Sequence, residues 1–167
     1  MSANLRFSSH EANGKKYLGG ALIDGTLGIF NPSATAANLV FDEVLKSENI
    51  NGTQDYRCLY FTNNFSTQTI YEPKIEFVSM TNTATFAIGL LSNKGVPAGT
   101  IADENTAPGG ILFNNLSLNT PVDLIQGASK QLLPGESVAF WLRRTPQNLG
   151  TSGTVTGECV FQLRYRT

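Results

Sequence analysis

With one histidine, two cysteines and a single tryptophan, the chain has few of the groups from which active sites are built. The histidine, His10, stands between Ser9 and Glu11 in a glycine-rich stretch. Nucleophilic or general-base catalysis needs its base held rigidly beside the nucleophile. We therefore expect His10 to be exposed and non-catalytic. Cys58 and Cys159 lie far apart in the sequence, and with one distant histidine they do not make a zinc site. They read as small buried hydrophobes kept reduced, with a disulfide pinning two strands as the alternative.

Charge is scarce too. Charged residues make up 15% of the chain, against about a quarter in ordinary globular proteins. The 12 basic and 13 acidic residues leave a net charge of −1. Basic residues pair only at Lys15-Lys16 and Arg143-Arg144, whereas a phosphate-backbone binder clusters them. No nucleic acid partner is expected. There is no apolar run of about 18 residues, so no membrane partner is expected either. The opening residues, Met1 to Phe7, lack the basic start and apolar core of a secretion signal. The expectation is a protein made and kept in the cytoplasm.

Chemistry-bearing clusters are equally thin. Asp42-Glu43 and Asp103-Glu104 are neighbours on the chain, and adjacent residues of an extended chain point opposite ways. A paired-carboxylate hydrolase needs its acids facing each other across a cleft. Asp103, Glu104 and Asn105 offer oxygens to calcium, but without a spaced loop motif a solvated loop is the simpler reading. Gly19-Gly20 and Gly109-Gly110 lack the lysine and the strand-loop-helix setting of a phosphate cradle. The triplets at Asn51, Asn64 and Asn115 fit the glycosylation sequon but are incidental in so Asn-, Ser- and Thr-rich a chain. No catalytic residue, metal or cofactor is assigned, and no enzyme is indicated.

What is present is β-structure. Asn, Thr, Ser and Gln build the polar surface, and they favour turns and strands over long helices. The stretch Leu132 to Thr145 anchors the fold: Pro134-Gly135 signals a turn. After it Val138, Phe140 and Leu142 alternate with Ala139, Trp141 and Arg143. That period of two sends the first set to a core. A second strand, Val155 to Tyr165, is expected to pair with it as a long hairpin. Asp55 to Thr62 reads as a central strand, with Tyr56, Cys58 and Tyr60 on one face and Arg57, Leu59 and Phe61 on the other. Further strands are expected at Asn38 to Phe41, Thr69 to Tyr71, Lys74 to Met80, Thr85 to Leu91, Ile111 to Phe113 and Val122 to Ile125. Between Ser92 and Gly110 the chain is rich in Gly and Pro, and a loop this long is usually functional or a mobile rim. Residues 1–37, punctuated by glycines, read as an extended N-terminal arm with one or two short strands.

The chain thus reads as all-β: a single β-sandwich of about eight antiparallel strands over residues 38–167, jelly-roll or immunoglobulin-like, preceded by the arm. Candidate interface residues are Trp141, Arg143 and Arg144, since Trp and Arg are enriched in binding hot spots, together with Asp103 and Glu104. Trp141 serves equally well as a core tryptophan.

The blocks Leu39 to Val44, Asp55 to Asn63, Thr100 to Pro108 and Leu133 to Arg144 resemble small β-sandwich virion proteins of tailed bacteriophages. The resemblance implies a structural protein of a particle assembled in the host cytoplasm. Its partners would be other virion proteins, the major capsid protein or tail proteins, met as a homo-oligomer or in multiple copies. Capsid decoration is the leading expectation. A tail, baseplate or fibre-associated subunit, including a receptor- or carbohydrate-binding module using Tyr71, Tyr60 or Trp141, is the alternative.

Overall fold

The computed structural model describes residues 3–10, 16–18, 21–23, 27–36, 40–41, 44–80, 84–92, 94–95, 98–99, 101–147 and 159–167. Its strands are β1 (Ala3–His10), β2 (Lys16–Leu18), β3 (Ala21–Ile23), β4 (Leu27–Ala36), β5 (Asp55–Asn63) and β6 (Ile70–Met80). Then come β7 (Ala84–Leu90), β8 (Phe113–Asn115), β9 (Val122–Asp123), β10 (Gln131–Leu132), β11 (Ser137–Pro146) and β12 (Cys159–Arg166). A single short helix among the described residues, α1 (Lys46–Asn51), precedes β5. The large sheet runs β4-β1-β5-β11-β7-β8. The small sheet is built on β6, with β12 along one edge and β9 and β10 along the other. β2 and β3 pair with each other. The molecule is an all-β sandwich, as the alternation implied.

β5 explains the layering. All nine of its residues are buried, because it lies between β1 and β11 and is covered on both faces. Leu59 and Phe61 join the core between the sheets, and Tyr56, Cys58 and Tyr60 enter a second cluster on the outside. β11 divides the same way. Val138, Phe140 and Leu142 are at most 1% exposed within the main core. Ala139 and Trp141 belong to the outer cluster. From the small sheet, Ile75 and Phe77 complete the core, joined by Phe86 and Ile88 of β7. Phe161, Phe77, Phe86 and Phe41 form a continuous run of ring contacts with centroids 5.5–5.9 Å apart.

The turn before β11 forms as its sequence dictates. Gly135 has φ 82°, and Glu136 N donates to Leu133 O at 3.0 Å, which is the type II geometry that requires glycine in third place. Asn63 ties this turn to the end of β5. Its Nδ2 donates to Leu132 O and Gln68 O, its Oδ1 accepts from Phe65 N, and its backbone O accepts from Gly135 N.

Several expectations need correction. β11 and β12 are not a hairpin: β11 pairs with β5 and β7, whereas β12 pairs with β6 in the opposite sheet. Alternation fixes which face of a strand is buried but not which strand lies beside it. The separate strands expected at Thr69 to Tyr71 and Lys74 to Met80 are one strand, β6. Glu72, at φ 49°, is its extra residue where the pairing with β12 slips from Lys74 to Tyr71. A bulge of this kind accommodates Pro73, which has no N–H for the ladder. Val40 and Phe41 are not in a strand. α1 instead follows them, ended by Gly52 in the left-handed region at φ 61°. β8 begins two residues later than Ile111, at Phe113. From the stretch read as an arm, β1 lies antiparallel to β5 with Phe7 opposite Leu59, and β4 flanks it. The side chains of His10 and Cys159 lie outside the described residues.

Candidate functional site

The most concentrated chemistry lies between the sheets, at the end of the sandwich where β5 begins and β11 finishes. Arg144 stands directly opposite Asp55 in the β5–β11 pairing, so both side chains share the inner face. Arg144 Nε donates to Asp55 Oδ2 at 2.9 Å, and its second guanidinium nitrogen reaches the same oxygen. Two residues on, Arg57 shares that face. It donates through NH2 to Glu104 Oε2 at 2.9 Å, through Nε to Val40 O at 3.1 Å and through NH1 to Tyr56 O at 3.0 Å. The Phe41 ring lies against both guanidinium groups, 5.3 Å from Arg57 and 5.0 Å from Arg144.

Loop residues close the cluster. Asn105 Nδ2 donates to Asp55 Oδ1 at 2.9 Å and to Gln54 O at 3.1 Å. Tyr56 N donates to Glu104 O at 2.7 Å. Asp55 and Arg57 are fully buried, and Arg144 and Glu104 nearly so. Charges this deep persist only when every partner is in place.

Glu48, Asp55 and Glu104 bring carboxylate oxygens within 4.8 Å of one another, the spacing of a cation site. Their oxygens, however, face competing donors. Asp55 accepts from Arg144 and Asn105, Glu104 from Arg57, and Glu48 Oε2 from Leu45 N at 2.8 Å. With two guanidinium groups inside the cluster, the arrangement is an ion-pair lock. It fixes the segment at Val40–Phe41 and the loop at Glu104–Asn105 to the sheet.

The sequence-derived interface candidates do not form one surface. Trp141 is fully buried, and Arg144 and Glu104 belong to the lock. Arg143 and Arg144 are neighbours on a strand, so they point to opposite faces. Arg143 lies half-buried on the outside, 5.3 Å over the Phe113 ring, with NH2 3.4 Å from Asn115 Oδ1. Asp103 is exposed, and its Oδ1 accepts from Asn105 N and Thr106 Oγ1. It shapes its own turn. Of the aromatics considered for sugar binding, Tyr60 and Trp141 are interior and Tyr71 is 43% exposed.

Cys58 carries a free, fully buried thiol on the outer face of β5, turned away from the small sheet that contains Cys159. The disulfide alternative is therefore not realised. Burial pushes the Cys58 pKa up and holds the Tyr60 phenol well above its ordinary range. Among the described residues, Trp141 Nε1 and Tyr60 Oη are buried without a hydrogen-bond partner of good geometry, although the Ala98 backbone lies close to the phenol.

Sequence reasoning missed the lock itself. Its signal was a charged pair, Asp55 and Arg57, in step with Leu59 and Phe61 on a face that otherwise belongs to the core. No protein-family model matches the sequence, and no curated protein or solved structure matches it. The fold and the cluster together define an all-β sandwich closed at one end by buried ion pairs.

Proposed function

We propose that this protein is a non-enzymatic structural component of a tailed-bacteriophage particle, a capsid decoration subunit bound to the particle surface by protein–protein contacts. The resemblance of the blocks between Leu39 and Arg144 carries the reading. The sandwich is compatible with it, because the most reactive-looking charges, Asp55, Arg57, Glu104 and Arg144, are spent on one another inside the fold. The partner is the major capsid protein, met by many copies of this chain. Particles produced without the protein, then mixed with purified protein, test the reading. Saturable binding to heads, seen by sedimentation and as added density in electron micrographs, is the expected result. No binding to heads would overturn it.

The second reading is a tail, baseplate or fibre subunit that binds a receptor or carbohydrate. Exposed Tyr71 on the small sheet favours it, since an exposed aromatic face is what a sugar ring stacks on. Glycan binding by the isolated protein, lost in Tyr71→Ala, together with density on tails, would replace the first reading by this one.

A further inference from the structure

Among the described residues, the outer face of the large sheet is covered largely by loop. Ile101 and Ile111, together with Leu91 and Ala98 from the preceding stretch and Phe113 of β8, pack on Tyr56, Cys58, Tyr60, Ala139 and Trp141 as a cluster distinct from the main core. Phe113 meets Tyr56 edge-on, with centroids 5.4 Å apart. Between Ile101 and Ile111 the loop buries only Glu104 and Pro108. It closes with Pro108, Gly109 and Gly110, the last at φ 73°. Its hold on the sandwich is largely polar: Glu104 on Arg57, Glu104 O on Tyr56 N, and Asn105 on Asp55 and Gln54. Beneath the roof, Trp141 Nε1 has no hydrogen-bond partner among the described residues, a cost the covered state carries and an opened state would relieve with water.

Few apolar anchors, a polar latch and an unsatisfied donor underneath are the marks of a segment that opens at lower free energy than the domain unfolds. We propose that residues 101–112 open as a unit, giving solvent a path past Leu91 and Ala98 to Cys58 and Trp141 while the two sheets stay packed, and that the Glu104 latch sets how often this happens. The apolar core between the sheets does not contribute to the roof, and the one interior contact that opening must break is Glu104 on Arg57, which is why that pair sets the frequency.

Cys58 is the reporter, because burial both shields its thiol and raises its pKa. In a Cys159→Ser background it is the single thiol of the chain. Its labelling by a small disulfide reagent is followed across denaturant concentrations below the unfolding transition, beside global unfolding measured by circular dichroism. The expected result is a labelling rate nearly flat in denaturant at the low end and faster than global unfolding permits. Glu104→Gln should raise that rate about ten-fold or more, the effect of weakening one hydrogen bond between charged groups. A labelling rate that follows the global unfolding line from the lowest denaturant upward overturns the proposal. That measurement needs only the wild-type latch, so a Glu104→Gln variant that fails to fold does not blunt the test. An unchanged rate in a folded Glu104→Gln variant overturns the role given to the latch.

Discussion

The two faces of the large sheet are built from the same strands and closed by different means. On the inside, alternate residues of β5, β11 and β7 meet the small sheet, and the core they form is aliphatic and aromatic throughout until the sandwich end. There it gives way to Asp55, Arg57, Arg144 and Glu104. On the outside, the intervening residues of the same strands meet the apolar plugs of a loop, and the same loop sends Glu104 round the sandwich end to Arg57. An interior made by two sheets places regular rows of side chains against each other. An interior roofed by a loop depends on a few fitted contacts. Gly89 of β7 shows how close the fit is. It lies opposite Trp141, and a Cβ there would come within 2.4 Å of Ile111 Cγ2 and 3.0 Å of Phe113 Cε1.

The largest effects should therefore come from the inner face. Phe140→Ala leaves a cavity between the sheets and should cost about 3–5 kcal/mol, read as a fall in the denaturant midpoint at unchanged slope. Asp55→Ala strands buried Arg144 without its carboxylate, and breaking a buried pair from one side costs about 3–5 kcal/mol. If Asp55→Ala unfolds no earlier than wild type, the cluster is not a lock. Gly89→Ala tests the outer face, where overpacking should cost about 1–3 kcal/mol. It should also unseat Ile111 before it disturbs the core, so near-ultraviolet circular dichroism from Trp141 should change more than the far-ultraviolet signal. Arg143→Ala removes only a half-buried contact with Phe113, worth about 0.5–1 kcal/mol. An equal loss from Arg143→Ala and Asp55→Ala would erase the distinction between the faces.

The faces of these strands were legible in the sequence because burial imposes a period of two. Val138, Phe140 and Leu142 went inward, and the split of β5 into Tyr56-Cys58-Tyr60 and Arg57-Leu59-Phe61 is the split observed. What that period does not encode is the neighbour. β12 carries an inward row of its own, Phe161 and Leu163, and nothing in it says that β6 rather than β11 lies alongside. The outer cluster was hidden for a different reason: a loop rich in Gly and Pro has no period, so Ile101 and Ile111 gave no sign of being plugs. The lock was half visible. The rule that adjacent residues on a strand face opposite ways separates Arg143 from Arg144, and applying it to Asp55 and Arg57 places both among core residues. Which carboxylate each arginine meets depends on Glu104, which is 47 positions along the chain from Arg57 and beyond any local pattern.

The smallest predicted effect concerns how the outer region is tied to the turn before β11. Lys94 Nζ lies 2.6 Å from Glu136 Oε2, which also accepts from Leu133 N at 2.6 Å, and Gly95 N donates to Ser137 O. Partial burial pushes the Glu136 carboxyl upward, but Lys94 and the Leu133 N–H outweigh it and hold the pKa below its ordinary value. A carboxylate with a lowered folded-state pKa contributes stability in full above its unfolded value, near 4.3. That contribution is lost as pH falls through the lowered folded value. Glu136→Gln should remove it at neutral pH, at a cost of about 1 kcal/mol or less for so accessible a pair. At a pH below the folded value the two proteins should converge in stability. Denaturant midpoints measured for both from pH 7 down to the acid limb check the sign. A gap that widens as pH falls would show that Glu136 stabilises the fold as the neutral acid, and that the tie to Lys94 contributes nothing to the outer region.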